Sequence, residues 1–399
     1  MYEQIREDIL FIIFYTLVTG MAMMASCYLL FRGGNAFAPD ITPPVRLRRW
    51  TAAFFAAIAL CHLWYLPTYF LSSSDDRMLG YLIAGLLDCM TAIPLAIVVL
   101  LVMLQDRRRP LWPVCAMVMP LIVGRAWCVA TRSEDLLLVL FTYFTLMSIT
   151  LVIYMVRATR QYGRWLRDNF ADLEHKEVWQ NFVVLAVILL TFAVYSFDIG
   201  GLVYEYAMEM NVIILICYLL WRVETLSDLS IPINDMEEET VTTEDMEDNA
   251  LSLSLSNNIG LLLKQYCEEP QLYLQHDLNL IQLAKAIGTN RLYLSQYLSS
   301  QGMNFNNYIN NLRINHFVSL YYEVVAAQRH FTAQQLALES GFSNYRTFSN
   351  AFKRKTEQPV TVWMKAASKQ EQSQACLDSA ERKQARPKGK TQHEGQGKS

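Results

Sequence analysis

Between Asn344 and Lys355 the chain reads NYRTFSNAFKRK, a run whose polar side chains are of the types that read and grip a nucleic-acid duplex. Phe348 and Phe352 stand four residues apart, so at about 100° per residue they share one face of a helix. Arg346, Asn350 and Lys353 then fall on the opposite face. A guanidinium makes paired hydrogen bonds to guanine O6 and N7, and a carboxamide does the same at adenine N6 and N7. Lys353, Arg354 and Lys355 suit phosphate oxygens, which supply affinity without sequence preference. A sparser version lies upstream, with Arg291 near a helix start and Gln296 on the exposed side of LYLSQYL.

Such faces need packed helices behind them, and the apolar spacing supplies two helix-turn-helix units. In the first, Leu280, Leu283, Ala284 and Ile287 line a helix that begins near Asp277, Gly288 turns the chain, and Leu294 and Leu298 close the core. In the second, Thr332 caps a helix carrying Leu336 and Ala337, Gly341 turns, Phe342 fills the corner, and Phe348 and Phe352 anchor the next helix. Phe305, Ile309, Leu312, Phe317, Leu320 and Val324 predict one long helix joining the units. No segment from Gly260 to Ala367 alternates as a strand would, and this stretch holds ten Lys or Arg against six Asp or Glu. Spacing alone leaves two readings open, a DNA-binding module and a helical protein-interaction module.

The stretch from Gly260 to Trp363 resembles the DNA-binding domain of the AraC/XylS family of bacterial transcription regulators. LNLIQLAKAIGTNRLYLSQYL is similar to its first unit, FNNYINNLRINHF to its linker helix and GFSNYRTFSNAFKR to its second unit. The resemblance implies a seven-helix fold whose two recognition helices enter successive major-groove segments of double-stranded promoter DNA. It places Arg291 and Gln296 in the first recognition helix, and Asn344, Arg346, Thr347 and Asn350 in the second. One departure stands out: where the family has a Gly two residues before a small residue and Pro, Phe352 is followed here by KRKTEQP. That bears on the last turn and on Trp363, not on the recognition face.

The first 222 residues are of another kind. The chain is 53% apolar and only 18% charged, and the apolar excess collects in runs near 9 to 31, 50 to 70, 78 to 104, 111 to 131, 135 to 157, 178 to 198 and 203 to 221. Each is close to the ~20 residues that cross a ~30 Å hydrocarbon layer as a helix. The first run follows an acidic start and lacks a small-residue cleavage site, which argues for a span over a signal peptide. Lys and Arg alternate loop by loop. Arg32, Arg46, Arg48, Arg49, Arg107, Arg108, Arg109, Arg157, Arg160, Arg164, Arg167 and Lys176 lie on one side, with Arg6, Arg77 and Arg132 on the other. The positive-inside rule then predicts an outside amino terminus and a cytoplasmic carboxyl half, as in a bacterial inner membrane.

Ionisable groups within spans are costly and mark candidate signal sites. They are His62, Asp88, Arg125 and Glu209, with Asp198 and Glu205 nearer the headgroups. One reading is an outward-open pocket for a cation or basic ligand, with Arg125 as counter-charge; the other is that Arg125 pairs with Asp88 or Glu209 to lock helix packing. Pro67, Pro94, Pro113 and Pro120 are candidate kinks.

From Asp235 to Asp248, eight acidic residues and no basic one predict an extended tether. The polar tail after about 370 carries Arg382, Lys383, Arg386, Lys388 and Lys390, which suit non-specific phosphate contact. Eight cysteines lack paired spacing, so neither a disulfide framework nor a zinc site is expected, and those in the spans read as small packing residues. No motif for a cofactor, a phosphate-cradling loop or a catalytic metal is found, and no enzyme is expected. The expected arrangement is all-α: a seven-span membrane domain at 1–222, an acidic linker at 223–259, a double helix-turn-helix domain at 260–368 and a basic tail at 369–399. Expected partners are the lipid bilayer, promoter DNA, a second copy on that DNA, RNA polymerase and a small ligand or cation. The competing classes are a transporter or receptor with an accessory helix-turn-helix domain, and a factor released by proteolysis of the linker.

Overall fold

Hydropathy and helix form coincide in the amino-terminal half of the computed structural model, which describes residues 8–39, 41–173, 176, 186, 202–229 and 258–369. Six stretches are long and apolar enough to cross a membrane. They are α1 (Ile9–Phe31), α2 (Val45–Phe70), the pair α3 (Ser74–Met90) and α4 (Ala92–Met103), α5 (Trp112–Thr131), α6 (Leu137–Asn169) and α7 (Leu202–Thr225). They correspond to six of the seven expected spans. The remaining run at 178 to 198 lies outside the described residues, as do Asp198, the acidic segment Asp235 to Asp248 and the tail.

Two boundaries differ from the hydropathy reading, each for a local reason. The third span is broken at Thr91 (φ −123°, ψ −73°), because Pro94 has no N–H and its ring crowds the preceding turn. Helix α6 continues about 12 residues past its apolar run, a further ~18 Å at 1.5 Å per residue. Its buried stripe, Leu151, Met155, Ala158, Tyr162 and Leu166, keeps helical spacing after the mean hydropathy falls. Arg157, Arg160, Arg164 and Arg167 therefore stand on a helical stalk and not in a loop. Pro113 opens α5, where a missing N–H costs nothing, so it is no kink, whereas Pro67 and Pro120 lie inside α2 and α5.

The helix ends sort to two sides. At one, the Tyr206 hydroxyl donates to Asp8 (3.2 Å) and Phe11 packs against Tyr69 and Tyr206. At the other, Arg32 pairs with Glu224 at 2.6 Å, Asn35 donates to the Glu224 carbonyl, and Gln105 bridges Ser227 and Leu229. The arginine-rich ends thus gather at one end of the bundle. Side chains such as Ile13, Leu17, Met24, Leu138 and Val139 point outward. Cys27, Cys115 and Cys217 are exposed on that surface, while Cys89 and Cys128 are buried between helices, so the packing role expected of the span cysteines holds for only some of them.

The described elements of the carboxyl-terminal part are helices joined by turns: α8 (258–263, passing into a π turn at Lys264–Glu268), α9 (Leu280–Ala286), α10 (Arg291–Ser300), α11 (Phe305–Ala326), α12 (Ala333–Glu339), α13 (Tyr345–Thr356) and α14 (360–369), with a short 3-10 turn at Leu272–Leu274. One core gathers Leu263, Leu283, Ile287, Leu294, Leu298 and Ile309; a second gathers Phe317, Leu336, Phe342, Phe348, Phe352 and Val360. The long α11 serves both. Its Arg313, 1% exposed, donates to the carbonyls of Tyr273 (2.7 Å) and Gln275 (2.5 Å) and lies over the Phe342 ring. Burial pulls this guanidinium down to about 10, with the charge of Asp172 foremost in opposing that shift, so it stays cationic at neutral pH.

Candidate nucleic-acid interface

Each helix-turn-helix helix begins on a side-chain cap that consumes a backbone N–H left over at the helix start. Asn279 accepts from Gln282 N–H at 2.9 Å and the Gln282 side chain returns the bond, which starts α9 two residues after the expected Asp277. Thr332 and Gln335 form the same reciprocal box on α12, as expected of Thr332. Asn290 caps α10, and Asn344 caps α13 by accepting from Thr347 N–H at 2.8 Å. The carboxamide oxygen of Asn344 is thereby occupied, and this residue sets the helix start before it meets any base.

On α13, Phe348, Ala351 and Phe352 are buried, whereas Arg346 and Asn350 are exposed and Thr347 is half-buried beside the cap. The helical projection from Phe348 and Phe352 therefore places the two strongest base-reading candidates outward. Lys353 and Arg354 are exposed one turn later. Lys355 differs from them: its ammonium donates to Asn315 Oδ1 (2.6 Å) and the Asn311 carbonyl (3.1 Å) on α11, and partial burial lowers its pKa. It pins α13 to the central helix. On α10, Gln296 is exposed, while Arg291 is half-buried and donates through Nε to Asn169 Oδ1 at 3.2 Å.

The missing glycine after α13 is met by Glu357 itself in the left-handed region (φ 60°). Trp363 still packs, with ring centroids 5.2 Å from Tyr321 and 5.4 Å from Phe352. The departure from the family pattern changes the turn chemistry and leaves the core intact.

Residues that the sequence reading missed come from the end of α6. Phe170 bridges Asn279 in antiparallel fashion, and Ala171 N–H donates to the Leu278 carbonyl at 3.2 Å. Asn306, buried at the start of α11, donates to the Ala171 carbonyl at 2.7 Å. The Ser343 hydroxyl donates to Asp172 Oδ2 at 2.5 Å, and Lys176 lies 3.9 Å from Asp277. Their only sequence signal was the continuing buried stripe of α6, since the contacts span more than 100 residues.

The four intramembrane candidates form two polar knots. His62 Nε2 meets Glu209 Oε2 at 3.1 Å, joining α2 to α7, and Tyr15 of α1 donates to the His62 carbonyl at 2.7 Å. Asp88 accepts from Trp64 Nε1 (3.0 Å) and Tyr65 OH (2.9 Å), joining α3 to α2. Arg125 lies against Gly85, one turn before Asp88, where a Cβ would stand 3.0 Å from its Nη1. Glu209 is buried and Glu205, one turn earlier, half-buried.

Residues 283–366 match the family model described as a helix-turn-helix domain. No curated protein and no solved structure matches the chain. With its two capped units, shared central helix and outward Arg346 and Asn350, the carboxyl-terminal part of this chain, whose described elements are all helices, is a DNA-binding helix-turn-helix domain of the AraC type.

Proposed function

We propose that the protein is a membrane-anchored transcription regulator in which a seven-span domain (1–222) senses an external or membrane-borne signal and a double helix-turn-helix domain (260–368) binds promoter DNA. The observation that carries this reading is continuity: α6 leaves the apolar bundle as a helical stalk and ends against the DNA-binding domain. A change in span arrangement thus has a rigid route to the recognition helices. The positive-inside pattern and the gathering of arginine-rich ends support a cytoplasmic position for that domain, with the anchor in an inner membrane. Arg291, Gln296, Arg346, Thr347 and Asn350 face or flank the bases, with Lys353 and Arg354 on phosphate. A homodimer gains effective concentration from the shared anchor, and RNA polymerase is the natural downstream partner. His62–Glu209 and the Asp88–Arg125 neighbourhood are the signal-responsive groups, since each ties one span to another and a cation or basic ligand would compete for the same carboxylates.

Genome-wide crosslinking of the full-length protein in its host tests this. Discrete sites are expected in the wild type, with loss in an Arg346→Ala, Asn350→Ala double variant and altered signal dependence in Glu209→Gln. Equal patterns in wild type and double variant would remove DNA reading from α13. Substrate uptake that persists in a chain truncated after Arg222 would favour the transporter class.

A further inference from the structure

The stalk α6 ends by burying Phe170, Ala171 and Asp172 against the DNA-binding domain, each less than a tenth exposed. The four residues from Asn169 touch the starts of four helices at once. Phe170 and Ala171 lie along Leu278 and Asn279, the cap of α9. Asn169 holds Arg291, the first residue of α10. Asn306 at the start of α11 bonds the carbonyls of Phe170 (3.3 Å) and Ala171 (2.7 Å). Asp172 takes the hydroxyl of Ser343, the residue before the Asn344 cap of α13.

In a helix-turn-helix the recognition helices enter the groove by their amino-terminal residues, and N–H groups and hydroxyls at helix starts meet phosphate oxygens. Asp172 accepts the Ser343 hydroxyl, a donor of the kind that meets phosphate oxygens, and its charge faces the buried Arg313. Asn169 offers an acceptor to the one arginine of the first recognition helix. We infer that Asn169–Asp172 is an internal competitor for DNA: docked, it occupies groups at the starts of both recognition helices, and its withdrawal by a movement of α6 opens the domain to a duplex. Tyr162 stacks on Trp165, and Trp165 meets Phe170 edge-on, so the lower stalk and the docked residues move as one piece. This inference rests on the DNA-binding reading above.

The antiparallel pair Phe170 and Asn279 flanks the Ala171-to-Leu278 hydrogen bond, the narrow pairing geometry in which facing Cβ atoms suit a disulfide. Full-length protein carrying Phe170→Cys and Asn279→Cys is placed in phospholipid vesicles and assayed against a mixed-sequence duplex at low ionic strength, where phosphate contacts alone sustain binding. Oxidation is expected to weaken binding by at least about tenfold relative to the same protein reduced, a coupling of ordinary size between two sites. Reduction restores it, and a single Phe170→Cys variant shows no redox effect. Asp172→Lys, which leaves the bridge to Asn279 in place, is expected to bind the duplex more tightly than wild type. Equal or tighter binding by the oxidised form would overturn competition and make the segment a support for the binding-ready domain. Absence of duplex binding in wild type, reduced protein and Asp172→Lys alike would strike DNA reading itself, and the crosslinking map would then be empty as well.

Discussion

The two helix-turn-helix units follow one plan in different materials. The first packs leucine and isoleucine side chains around α9 and α10, and its recognition helix carries a single arginine that is held by the end of the membrane stalk. The second packs Phe317, Phe342, Phe348, Phe352 and Trp363 ring against ring, and its recognition helix ends in three consecutive cations. Aromatic pairs in offset or edge contact add about 0.5–1.5 kcal/mol each beyond area burial, so the second unit is expected to be the more stable of the two. On the proposed reading the second unit supplies the grip and most of the base reading, while the end of α6 touches both units, Arg291 in the first and Ser343 in the second.

The turn glycines offer the largest test of this contrast. Gly341 (φ +88°) lies so close to residue 274 that an added Cβ would stand 2.7 Å from Leu274 Cα, whereas around Gly288 (φ +70°) the space is open. Gly341→Ala should cost about 3 kcal/mol or more, from backbone overlap added to left-handed strain. Gly288→Ala should cost only about 1–2 kcal/mol, the strain alone. Hydrogen exchange of the two cores in the full-length chain measures both, and equal losses would mean that the units meet residues 272–276 in the same way. Base reading should be just as unequal. Arg346→Ala is expected to cost about 1–3 kcal/mol at a specific site and to relax base preference there. Gln296→Ala should cost less, and competition binding against base-substituted duplexes ranks the two. The smallest effect concerns Glu357. Replacement by Gly at this left-handed cap should stabilise the second unit by about 1 kcal/mol, read as a raised midpoint in thermal melts. No gain would mean that the Glu357 side chain offsets its own strain.

How much of this was legible in the sequence differs by kind of interaction. Six of the spans and the core faces were, because burial repeats at regular spacing: Leu283, Leu294, Phe348 and Phe352 all lie where periodicity put them. Capping was legible in principle. Asp277 and Asn279 are both good caps, but only Asn279 has a glutamine three residues on to return the bond, and that decided where α9 begins. Asn344, expected as a base reader, is also a cap, and its Oδ1 accepts from Thr347 N–H. The end of α6 was illegible, since NFAD has no period of its own and its partners lie at 278, 306 and 343. The polar knots were half legible: cost within lipid singled out His62, Asp88 and Glu209, but not Tyr15, Trp64 or Tyr65, whose rings disguise their hydrogen-bonding ends.

Ala171 is wholly buried in the core of the first unit, yet it precedes that unit's α9 by more than 100 residues. The end of α6 thus supplies part of the wall against which α9 and α10 close. A fragment beginning at 258 leaves that wall behind, so in the docked arrangement the first unit borrows part of its core from a residue far upstream.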